Sequence, residues 1–266
     1  MERFKKIRDK RPVIIVKIGG RFSENEELLG IFADELYVMR NEYSFIIVHG
    51  GGNEVSLLSK KLGQEPLFKD GIRITTPEEM DIVEMVLSGK VNGRVVRKLR
   101  THGIDAVGLN GSDGSIFIGE SMGNVAGVET RTGNVVKVTS KLLEILLDEG
   151  YVPVISSVST DLEGEGLNIN ADSVAFSLSE NLIPETLIFI SDIPGILKEG
   201  KIIRELDASG IEKEIASGTI TDGMIPKVEA AKEAVKAGVG KIIIGEFRKR
   251  EDLKLLISGN AGTVID

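Results

Sequence analysis

The sequence predicts an α/β fold, a mainly parallel sheet sandwiched between helices, on three observations. Short β-branched runs alternate along the chain with segments of helical periodicity, the pattern of strands joined by crossover helices. Most of the strand candidates are apolar throughout, as strands covered on both faces are. Glycine makes up 31 of the 266 residues, against a usual share of about 7%. It falls in short clusters between apolar runs, which marks tight turns and close approaches of backbone to ligand.

The predicted strands are Val13–Ile18, Phe45–Val48, Ala106–Leu109, Val152–Ser156, Leu187–Ser191 and Lys241–Ile244. Between them the periodicity predicts helices over 24–40, 53–62, 77–89, 91–102, 139–149, 171–182, 226–237 and 250–258. The start near Thr76 is well marked: Thr76 caps, Pro77 suits the first helical position, and Glu79 completes a capping-box pattern. Met80, Ile82, Val83, Met85, Val86 and Leu87 follow, an apolar surface wider than one stripe, so this helix is expected to be buried on two sides or central to one core. The glycine- and polar-rich stretch 110–138 reads as loops and a hairpin. Repeats, linker-like stretches and charge blocks are absent from the sequence, which points to one unit, 1–266, of two lobes.

The composition excludes several classes. A net charge of −8 and a pI of about 5.1 are the wrong sign for a nucleic-acid footprint. The basic cluster Arg3, Lys5, Lys6, Arg8, Lys10 and Arg11 reads as a solvated N-terminal helix, or as an oligomer or effector contact. Cysteine is absent, which removes disulfides and thiolate chemistry. Apolar runs fall well short of the roughly 18 residues of a membrane span, and a cytoplasmic protein is expected.

Two strands run into glycines, Val13–Ile18 into Gly19-Gly20 and Phe45–Val48 into His49-Gly50-Gly51-Gly52. Converging N–H groups and a helix N-terminus favour phosphate or carboxylate there, while a plain strand–helix turn would also explain each cluster. Lys17 stands where an apolar strand ends and would be poorly solvated without an anion, unless it snorkels to the surface. Lys227 opens a helix behind Pro226, where a cation opposes the helix dipole unless a polyanion is bound or the side chain is merely exposed. Asp172 opens another helix, as a cap or as a functional carboxylate. Asn168 and Asn170, two apart in an extended segment, share a side. Arg73, between apolar neighbours, suits a bidentate carboxylate contact or a structural salt bridge. P-loop and dinucleotide-binding glycine patterns are missing. His49 reads as part of its glycine turn, His102 as a helix C-terminal residue, and a metal-ligand spacing is not found.

In order along the chain, Val16-Lys17-Ile18-Gly19-Gly20, His49-Gly50-Gly51-Gly52, Asp70-Gly71-Ile72-Arg73-Ile74-Thr75 and Gly89-Lys90-Val91-Asn92 resemble the amino acid kinase family. So do Ala106-Val107-Gly108-Leu109, Asn168-Ile169-Asn170-Ala171-Asp172, Ser191-Asp192-Ile193-Pro194-Gly195, Thr221-Asp222-Gly223-Met224-Ile225-Pro226-Lys227 and Gly262-Thr263. The resemblance covers about residues 13 to 265 and is strongest to the members that phosphorylate N-acetyl-L-glutamate. It implies a three-layer αβα sandwich with an open, mainly parallel sheet. Residues 1–175 would bind the acyl amino acid and carry the dimer contact, and 176–266 would bind ATP, with Mg²⁺ arriving on the nucleotide. It implies that Lys17 and Lys227 contact the transferring phosphoryl group, with Asp172 orienting both. Gly19, Gly20 and Gly51 would offer N–H groups, Gly51, Gly52, Arg73, Asn168 and Asn170 would bind the acceptor, and Ser191 and Asp192 would lie at the nucleotide. Small molecules are the implied partners, and a homodimer or a hexamer the implied assembly.

Three departures accompany the resemblance. Asn110 and Ser112 stand where many relatives carry Ser and Lys, which opens the alternative of an N-succinylglutamate or carrier-bound aminoadipate substrate. Only about eleven residues precede the first strand, and Gly245–Arg250 differs from the pattern of arginine-inhibited relatives, so arginine feedback is not expected. A catalytically inactive ATP-binding relative is the alternative of another class.

Overall fold

The structure, a computed structural model, describes residues 11–69, 71–125, 127–221 and 223–266. The expected N-terminal helix falls almost wholly on residues 1–10, outside the described residues. The central sheet contains β1 (Val13–Ile18), β2 (Ser44–His49), β3 (Ala106–Leu109), β4 (Val152–Ser156), β5 (Thr186–Ile190), β6 (Glu205–Leu206), β7 (Lys241–Gly245) and β8 (Thr263–Ile265). Their order is β6-β8-β7-β5-β1-β2-β4-β3. Only β8 against β7 is antiparallel; the other neighbours are parallel. The six predicted strands are all present, each within a residue of its expected ends.

Alternation along the strands sends side chains to two separate cores. Ile14, Val16 and Ile18 of β1, with Ile47 of β2, face α1 (Gly20–Glu24), α2 (Glu26–Met39), α5 (Asn92–Thr101) and α10 (Asp252–Ile257). Ile15, Ile46 and Val48 face α6 (Lys141–Asp148), α7 (Ala171–Leu182), α8 (Ala208–Ala216) and α9 (Met224–Lys236). Helices on both faces make the molecule a three-layer αβα sandwich around an open sheet. Phe22, Phe32 and Phe247 stack edge to face at 5.5–5.7 Å, tying the segment after β7 to α1 and α2.

A third cluster joins α3 (Gly52–Lys61) and α4 (Pro77–Glu84). Thr76 caps α4 as expected, accepting from the Glu79 N–H at 3.2 Å. The capping box is not completed: the Glu79 carboxylate turns instead to Ser59 Oγ at 2.9 Å and Arg73 at 2.8 Å, because a buried cation attracts it more strongly than a backbone amide. The two expected helices 77–89 and 91–102 are continuous, since a π-helical stretch, Met85–Val91, carries α4 directly into α5. Most of the broad apolar surface, Met80, Ile82, Val83, Val86 and Leu87, is buried within the chain, and Met85 is exposed.

The stretch 110–138 is more ordered than its composition suggested. Phe117–Ser121 and Thr132–Val138 join Val158–Thr160 and Gly166–Ile169 in a four-stranded sheet, and Asn124–Val125 pairs with Val128–Glu129. Its glycines serve close strand packing: a Cβ on Gly119 would lie 2.8 Å from Leu167, and one on Gly133 2.8 Å from the Glu120 carbonyl. The short strands β6 and β8 at one end of the sheet and the helix α8, capped by Asp207, were not anticipated. Among the described residues, no helix is long and apolar enough to cross a membrane.

Candidate active site

The site lies at the C-terminal ends of β1, β2 and β5. The chain passes from β1 to β2 on one side, while β5 arrives later on the other. That reversal of direction beside β1 opens a crevice outside the strand ends, the usual ligand position of an open α/β sheet. Gly19-Gly20 leads from β1 into α1, and Gly50–Gly52 leads from β2 into α3. The two turns pack backbone to backbone: a Cβ on Gly20 would lie 3.4 Å from Gly51 Cα, and one on Gly51 would lie 2.8 Å from Leu87 and 3.1 Å from Val91. At Gly51 a side chain is excluded for lack of space, while Gly19 and Gly52 face open space.

Lys17 is the penultimate residue of β1, between Phe189 of β5 and Val48 of β2. It does not snorkel; its side chain is 16% exposed and its Nζ lies 2.8 Å from Asp172 Oδ1. Asp172 sits in the first turn of α7, behind Asn170, whose side chain caps that helix by accepting from the Asp172 N–H at 2.8 Å. Lys227, 16% exposed, brings its Nζ to 2.9 Å from the other Asp172 oxygen and 5.1 Å from the centre of the Phe189 ring. α9 begins at Met224, so Pro226 is its third residue and not its first; a missing N–H is tolerated anywhere in that turn. Burial pushes the Asp172 carboxyl up, but the two ammonium groups outweigh it and hold the group below its usual range.

Two cavities open on this Lys-Asp-Lys arrangement. One, about 370 Å³, is lined by Gly51, Gly52, Arg73, Asn168, Asn170 and Asp172, among others. The other, about 290 Å³, is lined by Gly19, Gly20, Ser191, Asp192 and Lys227, among others. Lys17 lines both. Every site residue expected from sequence thus lines one cavity or the other. Of the two readings open for Arg73, the structure shows the salt bridge: it ion-pairs with buried Glu79, donates to the Gly52 carbonyl at 2.9 Å and to Ser56, and it also lines the larger cavity. Asn168 Nδ2 donates to Thr75 Oγ1 at 2.8 Å. Asp192 is exposed and 3.1 Å from Arg21.

Sequence reasoning missed Arg21, Asn53 and Ser56, which also line the cavities. Arg21 directly follows the Gly19-Gly20 pair, which was the available signal. His49 is not a base: it is fully buried, and burial lowers its pKa to about 4. His102 terminates α5 as expected. Asn110 and Ser112 bond to each other within their own turn and are not among the residues lining either cavity. Among the described residues, no group of three or more His, Asp or Glu side chains is placed to hold a metal.

The model of the amino acid kinase family matches residues 12–246. An acetylglutamate kinase of Nitrosococcus oceani is 35% identical over 95% of this chain and 89% of its own. One from Kosmotoga olearia is 39% identical over 94% of this chain and 90% of its own. The solved carbamate kinase of Giardia lamblia bound to AMP-PNP, 15% identical, superposes with a TM-score of 0.70 over 96% of this chain and 98% of that one, a likeness of fold. Sandwich, glycine turns and ordered motifs agree with that match: the chain belongs to the amino acid kinase family.

Proposed function

We propose that the protein transfers the γ-phosphoryl group of MgATP to the side-chain carboxylate of N-acetyl-L-glutamate, giving N-acetylglutamyl 5-phosphate and ADP, a step of arginine biosynthesis. The observation that carries this reading is Asp172 held between Lys17 and Lys227, at 2.8 and 2.9 Å, where the two cavities meet. The curated relatives named for this activity supply the acceptor.

The chemistry suits the residues present. A glutamate side chain, with an ordinary pKa of about 4.3, is already ionised at neutral pH, so the nucleophile needs no general base. What it needs is cancellation of crowded negative charge and in-line placement. Lys17 and Lys227 supply positive charge from different elements, Asp172 keeps both ammonium groups aimed, and the N–H groups of Gly19, Gly20, Gly51 and Gly52 receive phosphoryl oxygens. In this reading the larger cavity takes the acceptor, with Arg73, Asn168 and Asn170 at its α-carboxylate and acyl end. The smaller takes the nucleotide against Ser191 and Asp192, and Mg²⁺ enters on the phosphates of ATP. The division of labour follows residues 1–175 and 176–266. A homodimer through the face around exposed Met85 completes the proposal, and sedimentation tests it.

Trapping acyl phosphate with hydroxylamine tests the reaction. Purified protein and MgATP are supplied separately with N-acetylglutamate, N-succinylglutamate, glutamate and aspartate. Hydroxamate with N-acetylglutamate alone is expected. Product with another acceptor would move the substrate, and folded protein that yields none would contradict the kinase reading.

A further inference from the structure

Beside the two glycine turns lies an ion cluster whose members are not among the residues lining either cavity. Glu54, the third residue of α3, has a side chain only 6% exposed. Its carboxylate takes both terminal nitrogens of Arg94, one of them at 3.3 Å, and Lys90 Nζ at 2.6 Å. The same guanidinium donates from Nε to the Ser23 carbonyl at 2.8 Å. Ser23 belongs to α1, and its hydroxyl donates to the Gly20 carbonyl at 2.9 Å. One side chain on α5 therefore joins the helix after Gly19-Gly20 to the first turn of the helix after Gly50–Gly52.

The cluster has two physical consequences. The glycine turns meet with no side chain between them, so their spacing depends on what holds α1 and α3 together. A carboxylate in the first turn of α3 would also repel a polyphosphate at that turn. Burial pushes the Glu54 carboxyl up, yet Arg94 and Lys90 outweigh it, so the charge is present and cancelled in place. Buried ion pairs add little net stability compared with apolar packing of the same volume, so stability alone is a weak reason for this one.

We propose that Arg94 and Glu54 are positioning residues for phosphoryl transfer, a bracket that fixes the separation of the two glycine turns that receive the transferring group. The inference rests on the kinase reaction proposed above. The arginine fork is needed for its shape as well as its charge: lysine keeps the charge, but its single ammonium cannot span the Ser23 carbonyl and both Glu54 oxygens.

The test compares Arg94→Lys, Glu54→Gln and the double variant in the hydroxylamine assay, with thermal melting of each. Arg94→Lys is expected to lower kcat by about 10- to 100-fold, the effect of a misplacement near 1 Å. The KM for N-acetylglutamate stays within about threefold, because the far end of the acceptor is held by other residues. Glu54→Gln gives a smaller loss, and the double variant is no worse than Arg94→Lys, as expected of residues that act as a unit. Wild-type kcat in Arg94→Lys, or losses that multiply in the double variant, would overturn the bracket. So would a kcat loss explained by the folded fraction. Should Arg94→Lys fail to fold, Glu54→Gln carries the test, and normal kcat there overturns the proposal. Wild-type protein that forms no hydroxamate removes the reaction itself; active wild type with unaffected variants removes the bracket alone.

Discussion

His49 ends β2 with Nδ1 2.9 Å from the Gly50 carbonyl, to which it donates, and Nε2 3.0 Å from Asn92 Nδ2, from which it accepts. Asn92 also donates to the Val154 carbonyl at 2.9 Å, so the imidazole is fixed neutral between β2 and β4. Its folded pKa of about 4 lies below the ordinary 6.5, because burial disfavours the cation. The unfolded chain then takes up a proton that the folded chain refuses. Stability from this group is complete above pH 6.5 and falls as the pH drops toward 4, by about 3 kcal/mol. With only two histidines in the chain, NMR titration reads this directly. The His49 signals should stay unchanged down to about pH 5, and a midpoint near the unperturbed value of about 6.5 would contradict the buried, neutral imidazole. At this scale Lys17, Asp172 and Lys227 were legible because each is out of place: a cation at an apolar strand end, and charges at helix starts. Glu54 and Arg94 were not, since an exposed-looking Arg or Glu on a helix carries no local sign of the partner it meets.

The π-helical stretch Met85–Val91 lies against the second glycine turn through Leu87 and Val91. π-bulges recur at functional sites because they re-aim side chains within a helix. Gly51→Ala would place a methyl 2.8 Å from Leu87 Cδ2 and 3.1 Å from Val91 Cγ2. Overpacking of that kind is expected to cost about 1–3 kcal/mol, read as a lower urea midpoint, with slower turnover as the turn shifts. A wild-type midpoint and rate would show that the turn is not held by this contact. Strands were readable as elements because burial on both faces leaves an uninterrupted apolar run. The four-stranded sheet was hidden by Gly119 and Gly133, which read as loop yet serve close strand packing. β6 and β8, at two and three residues, are too short to show a period.

For the whole molecule, alternation of strand and helix foretold the layers, but not the order β6-β8-β7-β5-β1-β2-β4-β3. Which strand lies beside β1 depends on the packing of crossover helices, which leaves no local mark. That order matters, since β5 beside β1 brings Asp192 and Lys17 to one crevice. The two-cavity account predicts separable defects. Asp192→Ala should raise the KM for ATP, and Arg73→Lys that for N-acetylglutamate, each by about tenfold, the loss of one good polar contact. Steady-state kinetics checks this, and both constants rising together in either variant would speak against separate subsites. The central claim is that Lys17 and Lys227 act together on one phosphoryl group, steered by Asp172. Its most direct test is the hydroxamate rate of Lys17→Ala, Lys227→Ala and the double variant, each confirmed as folded by its melting curve. Each single loss should cost on the order of 10³-fold, and the double much less than their product, as for residues that work as a unit. Near-normal turnover in either single variant would contradict the account.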